Sequence, residues 1–535
     1  MAKRKRHLAL AIATDIEEGP RVTVSGWTAR EVFGSSEWRG DDIFDLIYGA
    51  SDGTVFWLAD AEKVIESVYC WLLENGFTCR DSKDEETFFP FISGTGVFYK
   101  MKVRTEEACI EFRDVCRKTM SSVPSMAESL GLPYTGHARS ETLIISRSVR
   151  HLMRDGLHGL TVGADAISEL KKSMGGETKY RSRFPELDVE IDKVLRLAYR
   201  GGWCHIAERA RGVDIGYGVR FDVNSLYPKI MRDCLLPFGI PLPFDGAYEK
   251  NLIYPLFIQG ITCAVKLKDG AIPWVQDPAD KHMIHPEYVR ESDGLLDLWL
   301  TSVELELLYK TYDVTVASWN GGYAFLGTTG IFDEYIEAWF IKKQKATGAT
   351  RLHAKMMLNT AAGKLAKKTE YYTQRPRLEA DGSIAYDFIP PDKPGKPEYT
   401  AAAAFITAYA RTYMIKVAMA QGDRFLYCDT DSLHLQGTAD PVKVPIHPKA
   451  LGAFSREAVF TRARFIHAKT YVEEVVEKDG ILLDEPIVEI TAAGLPESAR
   501  EGVGFDEFRE GASLPVEVPV HLPGGVAYET RYFML

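Results

Sequence analysis

The chain has 535 residues, of which 46% are hydrophobic, 26% charged and 11% aromatic, enough for three or four domains with cores of their own. Lys plus Arg total 64 against 75 for Asp plus Glu, a formal net charge of -11. That balance excludes a uniformly basic DNA-coating protein but not a nucleic-acid enzyme, because only the charge lining a cleft meets phosphate.

The basic Lys3-Arg4-Lys5-Arg6 and the apolar Leu8 to Ala13 imitate a secretion signal. The apolar run is too short, however, and Asp15, Glu17 and Glu18 follow at once, so the tetrad reads as a solvated tail. No apolar run nears the ~18 residues of a membrane span. Eight cysteines without a C-x-x-C pair suit a reducing compartment. We therefore expect a soluble, cytoplasmic protein, with no membrane partner.

In chain order, residues 8–13 predict a short buried strand ending at Asp15-Ile16-Glu17, and 60–76 a helix stopped by Asn75-Gly76. A boundary is expected near 165–185. Val219 to Val223 predicts a strand turning at Asn224-Ser225; Gly260 to Leu267 predicts another, and Asp297 to Tyr309 a helix. Two helical segments, 333–345 and 350–368, are broken at Thr347-Gly348. Residues 369–399 are polar and rich in Pro and Gly, an excursion or a hairpin. An Ala-rich helix over 400–420 and a hairpin over 424–435 follow. Near the end, Leu522-Pro523-Gly524-Gly525-Val526 reads as a hairpin turn.

Three segments carry chemistry together. In Arg220-Phe221-Asp222-Val223-Asn224-Ser225-Leu226-Tyr227-Pro228 the Asp closes an apolar strand; alone, it reads equally as a cap for the next helix. In Tyr427-Cys428-Asp429-Thr430-Asp431-Ser432 two apolar strands force two carboxylates to one hairpin tip, where they repel unless a cation neutralises them. Hard carboxylate ligands at an open site suit Mg²⁺. The third segment is a helix with Arg351, Lys355 and Asn359 at i, i+4 and i+8, on one face. No Asp or Glu interrupts residues 342–368, although a merely solvated face usually interleaves acids. Paired metals opposite a cationic helix specify in-line phosphoryl transfer.

Those residues resemble the family B DNA polymerases. Asp222-x-x-Ser225-Leu226-Tyr227-Pro228 is similar to motif A, Lys355-x-x-x-Asn359-x-x-x-Gly363 to motif B, and Tyr427-x-Asp429-Thr430-Asp431-Ser432 to motif C. Tyr199-Arg200-Gly201-Gly202 and Lys469-Thr470-Tyr471 resemble motifs of the protein-primed branch found in small tailed phages and linear plasmids. The resemblance implies an α+β protein: an exonuclease-like (RNase H-like) α/β domain, then palm, fingers and thumb with two insertions. It divides the chain into an exonuclease-like domain (1–165), palm (166–233 and 400–493), a terminal-protein-docking insertion (234–330), fingers (331–366), a strand-displacement hairpin (367–399) and thumb (494–535). It implies Asp222, Asp429 and Asp431 as catalytic carboxylates, with two Mg²⁺ ions (Mn²⁺ as substitute) on Asp222, Val223 and Asp431. Ser225, Leu226, Tyr227, Lys343, Arg351, Lys355 and Asn359 would bind the nucleotide, the Tyr227 ring excluding a ribose 2′-OH. Tyr199, Arg200, Gly201, Gly202, Thr430, Lys469 and Tyr471 would meet DNA. Its partners would be template-primer DNA, dNTPs and a terminal protein, and it would work as a monomer, in the host cytoplasm if viral.

Two departures matter. Motif B carries Ala362 where the family has an aromatic ring, which should loosen base selection by about a kcal/mol or more. The proofreading carboxylates are eroded: Asp15-Ile16-Glu17 resembles the first motif, but the second has no Asn, leaving Asp60 or Glu62 as substitutes. The third is matched only loosely, by His137-x-x-x-Glu141. We expect exonuclease activity to be weak or lost, with the domain kept as a scaffold for the DNA channel. The rival readings are the same polymerase starting from a nucleic-acid primer or from none, a non-catalytic DNA-binding scaffold, and a nuclease alone.

Overall fold

The computed structural model describes residues 6–16, 22–29, 35–39, 42–279, 288–392, 395–496, 499–500 and 502–535. Its N-terminal sheet runs Ser35–Arg39, Val22–Ala29, Arg6–Ile16, Thr54–Leu58, Cys109–Asp114, Phe98–Arg104, Thr87–Ser93. The middle three strands are parallel and the flanking pairs antiparallel. Thr54–Leu58 is buried along its whole length, as a central parallel strand covered on both faces must be. Phe56 and Leu58 enter the core under the Ile65–Glu74 helix, and Val55 and Trp57 the opposite core under Ala138–Arg154. This is the RNase H-like α/β unit.

The polar segment 369–399 resolves as a hairpin, Thr373–Leu378 with Ile384–Ile389. It adds to the far edge of the N-terminal sheet, Thr373 pairing with Ser93 and Gln374 with Ile92. A pairing between residues some 280 apart was not foreseeable from the segment itself.

A second sheet runs Ile481–Ala492, Thr470–Lys478, Phe454–His467, Gly218–Val223, Ser432–Gln436, Phe425–Asp429, Cys204–Ile206. It packs on the Thr400–Ala420 helix, whose Ala401, Ala402, Ala403 and Ala404 are all fully buried, the absent side chains letting neighbours approach closely. A separate four-stranded sheet takes Leu236–Phe244, Tyr312–Thr328, Leu256–Leu267 and Leu296–Thr301. Here the expected helix from Asp297 to Tyr309 is corrected: its first part is strand, and the helix is Ser302–Thr311. Leu298 and Leu300 point inward, alternating with the more exposed Asp297 and Trp299, a period of two. Thr301 and Glu304 then form a capping box that starts the helix.

The C-terminal hairpin, Ser513–Leu522 with Gly525–Met534, turns at Pro523-Gly524 and returns to the N-terminal domain. There Glu66, 2% exposed, accepts hydrogen bonds from Tyr386 Oη (2.9 Å) and His521 Nδ1 (2.8 Å). One carboxylate thus joins three distant segments. All eight cysteines are free thiols. Among the described residues, no helix is long and apolar enough to cross a membrane.

Candidate active site

The Phe425–Asp429 and Ser432–Gln436 strands are joined by Thr430-Asp431, with Asp429 opposite Ser432. Thr430 has φ 60, a left-handed conformation that costs a residue with Cβ roughly 1–2 kcal/mol and that the surroundings must impose. They do so by hydrogen bonds: Thr430 N–H donates to Trp203 O (2.8 Å), and Val223 N–H to Asp431 O (3.0 Å). The second bond ties the turn to the end of the Gly218–Val223 strand, where Asp222 lies opposite Ser432. Asp222 and Asp431 are therefore neighbours, although far apart in sequence.

Both carboxyls are pushed above the usual range. For Asp222 burial acts first, then the Asp431 and Glu457 carboxylates, while Lys355 and Lys343 pull the other way. For Asp431 burial is again first, then Asp429 and Glu457, with Lys355 opposing. Asp429 is better compensated: Lys469 Nζ lies 2.6 Å from its Oδ1, which also accepts from Thr430 Oγ1 at 3.1 Å. Glu457 was not singled out from sequence. It is the extra residue where the register slips between Arg220–Ala458 and Phe221–Arg456, a bulge that brings its side chain among the carboxylates. A lone acid within a strand carried no signal.

Opposite lies the Gly348–Leu365 helix, packed on Asp333–Lys345. Arg351, Lys355, Asn359 and Gly363 form its exposed stripe. Lys343 Nζ donates to Ser225 Oγ (3.1 Å), and burial, then Lys355 and Arg351, lower its pKa. These three cations and the Asp222 carboxylate share one electrostatic neighbourhood. The remaining stripe divides: Lys342 pairs with Asp155 at 3.0 Å, and the stem of Lys364 crosses Gly163, where an added Cβ would meet its Cε at 1.9 Å. Ala362 is buried.

Ser225 is left-handed (φ 58) and precedes the Leu226–Asp233 helix, which holds Leu226 in the core and leaves Tyr227 half-buried. Burial raises the Tyr227 pKa to about 12; Arg411 opposes, while Asp431 adds.

The Tyr199–Gly202 segment passes directly beside the turn. A Cβ on Gly202 would lie 2.3 Å from Thr430 Oγ1, so glycine is dictated by the approach. Arg411, buried on the Ala-rich helix, donates to the carbonyls of Arg200 and Gly201, both at 2.7 Å, and pairs with the fully buried Glu304. Arg200 is turned inward as well, toward Trp299 O (3.2 Å) and Glu304 (3.8 Å). Tyr471 is 8% exposed, its ring 5.2 Å from those of Tyr427 and His434. Arg200 and Tyr471 thus brace the protein around the turn, with 21% of the Arg200 side chain left exposed.

The N-terminal carboxylates are arranged differently. The backbone of Asp15 lies near the end of the Arg6–Ile16 strand, and Glu17 lies outside the described residues. Asp60 precedes a short turn, and Glu141 faces it; burial and then Asp60 raise the Glu141 pKa. Glu62 is drawn off by Arg117 at 2.6 Å. Asp114 caps the Val115–Thr119 helix through Arg117 N–H and also accepts from Ala61 N–H.

Residues 151–445 match the family of DNA polymerase type B, organellar and viral. The DNA polymerase of Bacillus phage phi29 is 36% identical over 403 residues, covering 73% of this chain and 70% of the phage protein. That of Bacillus phage Nf is 32% identical over 510 residues, covering 87% and 88%. The solved structure of the phi29 DNA polymerase complexed with primer-template DNA has a TM-score of 0.91 to this one at 29% identity, covering 99% of this chain and 100% of that chain. The resemblance drawn from the motifs stands, and the right-hand architecture follows with it: the chain belongs to the type B DNA polymerases of organelles and viruses and is a DNA-directed DNA polymerase.

Proposed function

We propose that the protein extends a 3′-hydroxyl on a DNA template with Mg²⁺ held by Asp222, the Val223 carbonyl and Asp431, and that it initiates on a hydroxyl of a terminal protein. The observation that carries this reading is the meeting of two strand ends at Asp222 and Asp431, with both carboxyls pushed toward protonation by burial first and by neighbouring carboxylates next. Oxygen donors so placed fit a hard divalent cation, whose charge lets them ionise together. Mg²⁺ held by Asp222, the Val223 carbonyl and Asp431 would supply a more acidic attacking hydroxyl and positive charge for the departing pyrophosphate.

The chain's own residues do the rest. Lys343, Arg351 and Lys355 receive the triphosphate from the side facing the carboxylates, with Asn359 further along the stripe. Ser225 and Leu226 border the nucleotide, and the Tyr227 ring closes the space a 2′-hydroxyl would need. Lys469 holds Asp429 in place at the primer end. Tyr199, Gly201, Gly202 and Thr430 line the strand, with Arg200, Arg411 and Tyr471 positioning them. With Ala362 in motif B, base selection is relaxed.

We assign residues 1–165 to the exonuclease-like domain, 166–233 and 400–493 to the palm, 234–330 to terminal-protein docking, 331–366 to the fingers, 367–399 to strand displacement and 494–535 to the thumb. The separate sheet within 236–328 supports the first insertion, and the edge-paired hairpin the second. Extension of a matched DNA primer with Mg²⁺ tests synthesis; no extension sinks it. Transfer of a labelled deoxynucleotide to terminal protein tests initiation separately: extension from DNA with no labelled protein overturns the priming step alone.

A further inference from the structure

Away from the polymerase site, His151 and Asp155 lie at the C-terminal end of the Ala138–Arg154 helix, in the N-terminal part of the chain. Facing them is His353, in the helix that carries Arg351 and Lys355. One ligand atom from each of these three side chains lies within 4.8 Å of the others. The two imidazole rings are 5.6 Å apart. His353 is 4% exposed, and its Nδ1 is buried without a hydrogen-bond partner among the described residues. A buried ring nitrogen left unpaired costs about 1–3 kcal/mol, so it calls for an explanation.

We infer that His151, Asp155 and His353 form a binding site for a borderline divalent cation of the Zn²⁺ type, which fastens the phosphate-facing helix to the N-terminal domain. Two imidazoles and one carboxylate are ligands for zinc rather than for magnesium, which prefers oxygen alone. Burial keeps His353 neutral, the form that offers a lone pair; its pKa is lowered to about 4 by desolvation first and His151 next. The carbonyls at the end of the 138–154 helix add negative potential where the ion would sit. A bond between His151 Nε2 and Thr350 Oγ1 (2.8 Å) fixes that ring.

Two lysines oppose a cation there. Lys342 Nζ occupies Asp155 Oδ2 at 3.0 Å, and Lys118 acts on His353 while itself paired with Asp165. The carboxylate has a second oxygen to offer, and a tetrahedral ion with bonds of about 2.0 Å brings its ligand atoms to about 3.3 Å apart. The half-exposed His151 and Asp155 close that difference by side-chain rotation.

The test is Co²⁺ and Zn²⁺ titration of the full chain in excess Mg²⁺, which fills the oxygen sites, comparing wild type with His353→Leu and His151→Ala. Wild type should take one tight equivalent, with the visible ligand-field absorption of nitrogen-ligated Co²⁺. Both variants should lose that absorption and bind Zn²⁺ about 100-fold or more weakly. Zinc should also raise the wild-type Tm with the logarithm of its concentration above Kd and leave the variants unmoved. No tight equivalent in wild type, or the same spectrum and stoichiometry in the half-exposed His151→Ala, would overturn the site; the latter variant guards against a folding defect in His353→Leu.

Discussion

The tip of the palm hairpin and the Asp60 turn of the N-terminal domain both set acids at the end of a buried strand, yet their surroundings treat them oppositely. At the hairpin, Asp222, Asp431 and Glu457 are pressed together; Asp429 is paired with Lys469 and Glu457 with Arg220 at 3.4 Å, while Asp222 and Asp431 feel their cations only across space. At the N-terminal turn, Glu62 is drawn off by Arg117 and Asp114 is spent on backbone amides, leaving Asp60 and Glu141 to face each other. The N-terminal sheet is held by hydrophobic burial, which does not depend on how the carboxylates beside it are arranged.

The largest effect should break or confirm that contrast. Asp431→Asn should lower nucleotide incorporation by about 10³-fold or more, since one cation ligand and the charge for it go together. The corresponding losses at the other site, Asp60→Ala or Glu141→Ala, should leave extension unchanged, and neither wild type nor these variants should trim a 3′-mismatched primer at a measurable rate. Efficient trimming by wild type that Asp60→Ala abolishes would show that the reduced set still works. Next in size, Lys355→Ala should raise the KM for dNTP by roughly 10–100-fold, the range expected for a charge-assisted contact to phosphate. A variant with unaltered KM and lowered kcat would place Lys355 on the transition state alone.

Smaller again is Gly202→Ala. The new Cβ has to displace Thr430 Oγ1 from 2.3 Å, and with it a turn already held left-handed. Stability should fall by about 1–3 kcal/mol, and Thr430→Ser in the same chain should recover part of it by removing the methyl group that also lies close. Equal stability for Gly202→Ala and wild type would mean that the linker does not press on the turn.

What could be read from sequence was local. A strand closed by Asp222, an Asp-Thr-Asp turn between apolar runs, and cations at helical spacing each leave a pattern within about ten residues, and those patterns fixed the palm and the facing helix. Glu457 and Arg411 left none: one acts through a bulge, the other stands in an alanine-rich helix where a charged residue was itself the missed clue. Arg200 and Tyr471 belong to recognisable motifs, but sequence does not say which way a side chain turns. The Asp297–Tyr309 misassignment has a similar origin, since the two-residue period of Leu298 and Leu300 runs without a break into helical sequence until Thr301-x-x-Glu304 is recognised as a cap.

The least legible contact, and the one of smallest expected effect, is the Glu66 junction. His521 reaches it from 455 residues away, and its pKa is raised, chiefly by the hydrogen bond to Glu66 against partial desolvation. A histidine raised on folding stabilises fully below its unfolded value of about 6.5, and that contribution is lost as pH rises through the higher folded value. With His521 44% exposed, screening holds the gain under about 1 kcal/mol. Hydrogen exchange at Ile65–Glu74 and Ser513–Leu522 should therefore quicken slightly above that pH, and His521→Gln should remove the pH step while the hairpin stays docked through the packing of Gly525–Met534 on the Ile65–Glu74 helix. If the step persists in His521→Gln, the docking of the C-terminal hairpin titrates elsewhere. The N-terminal domain is then clasped by a titrating group other than this histidine.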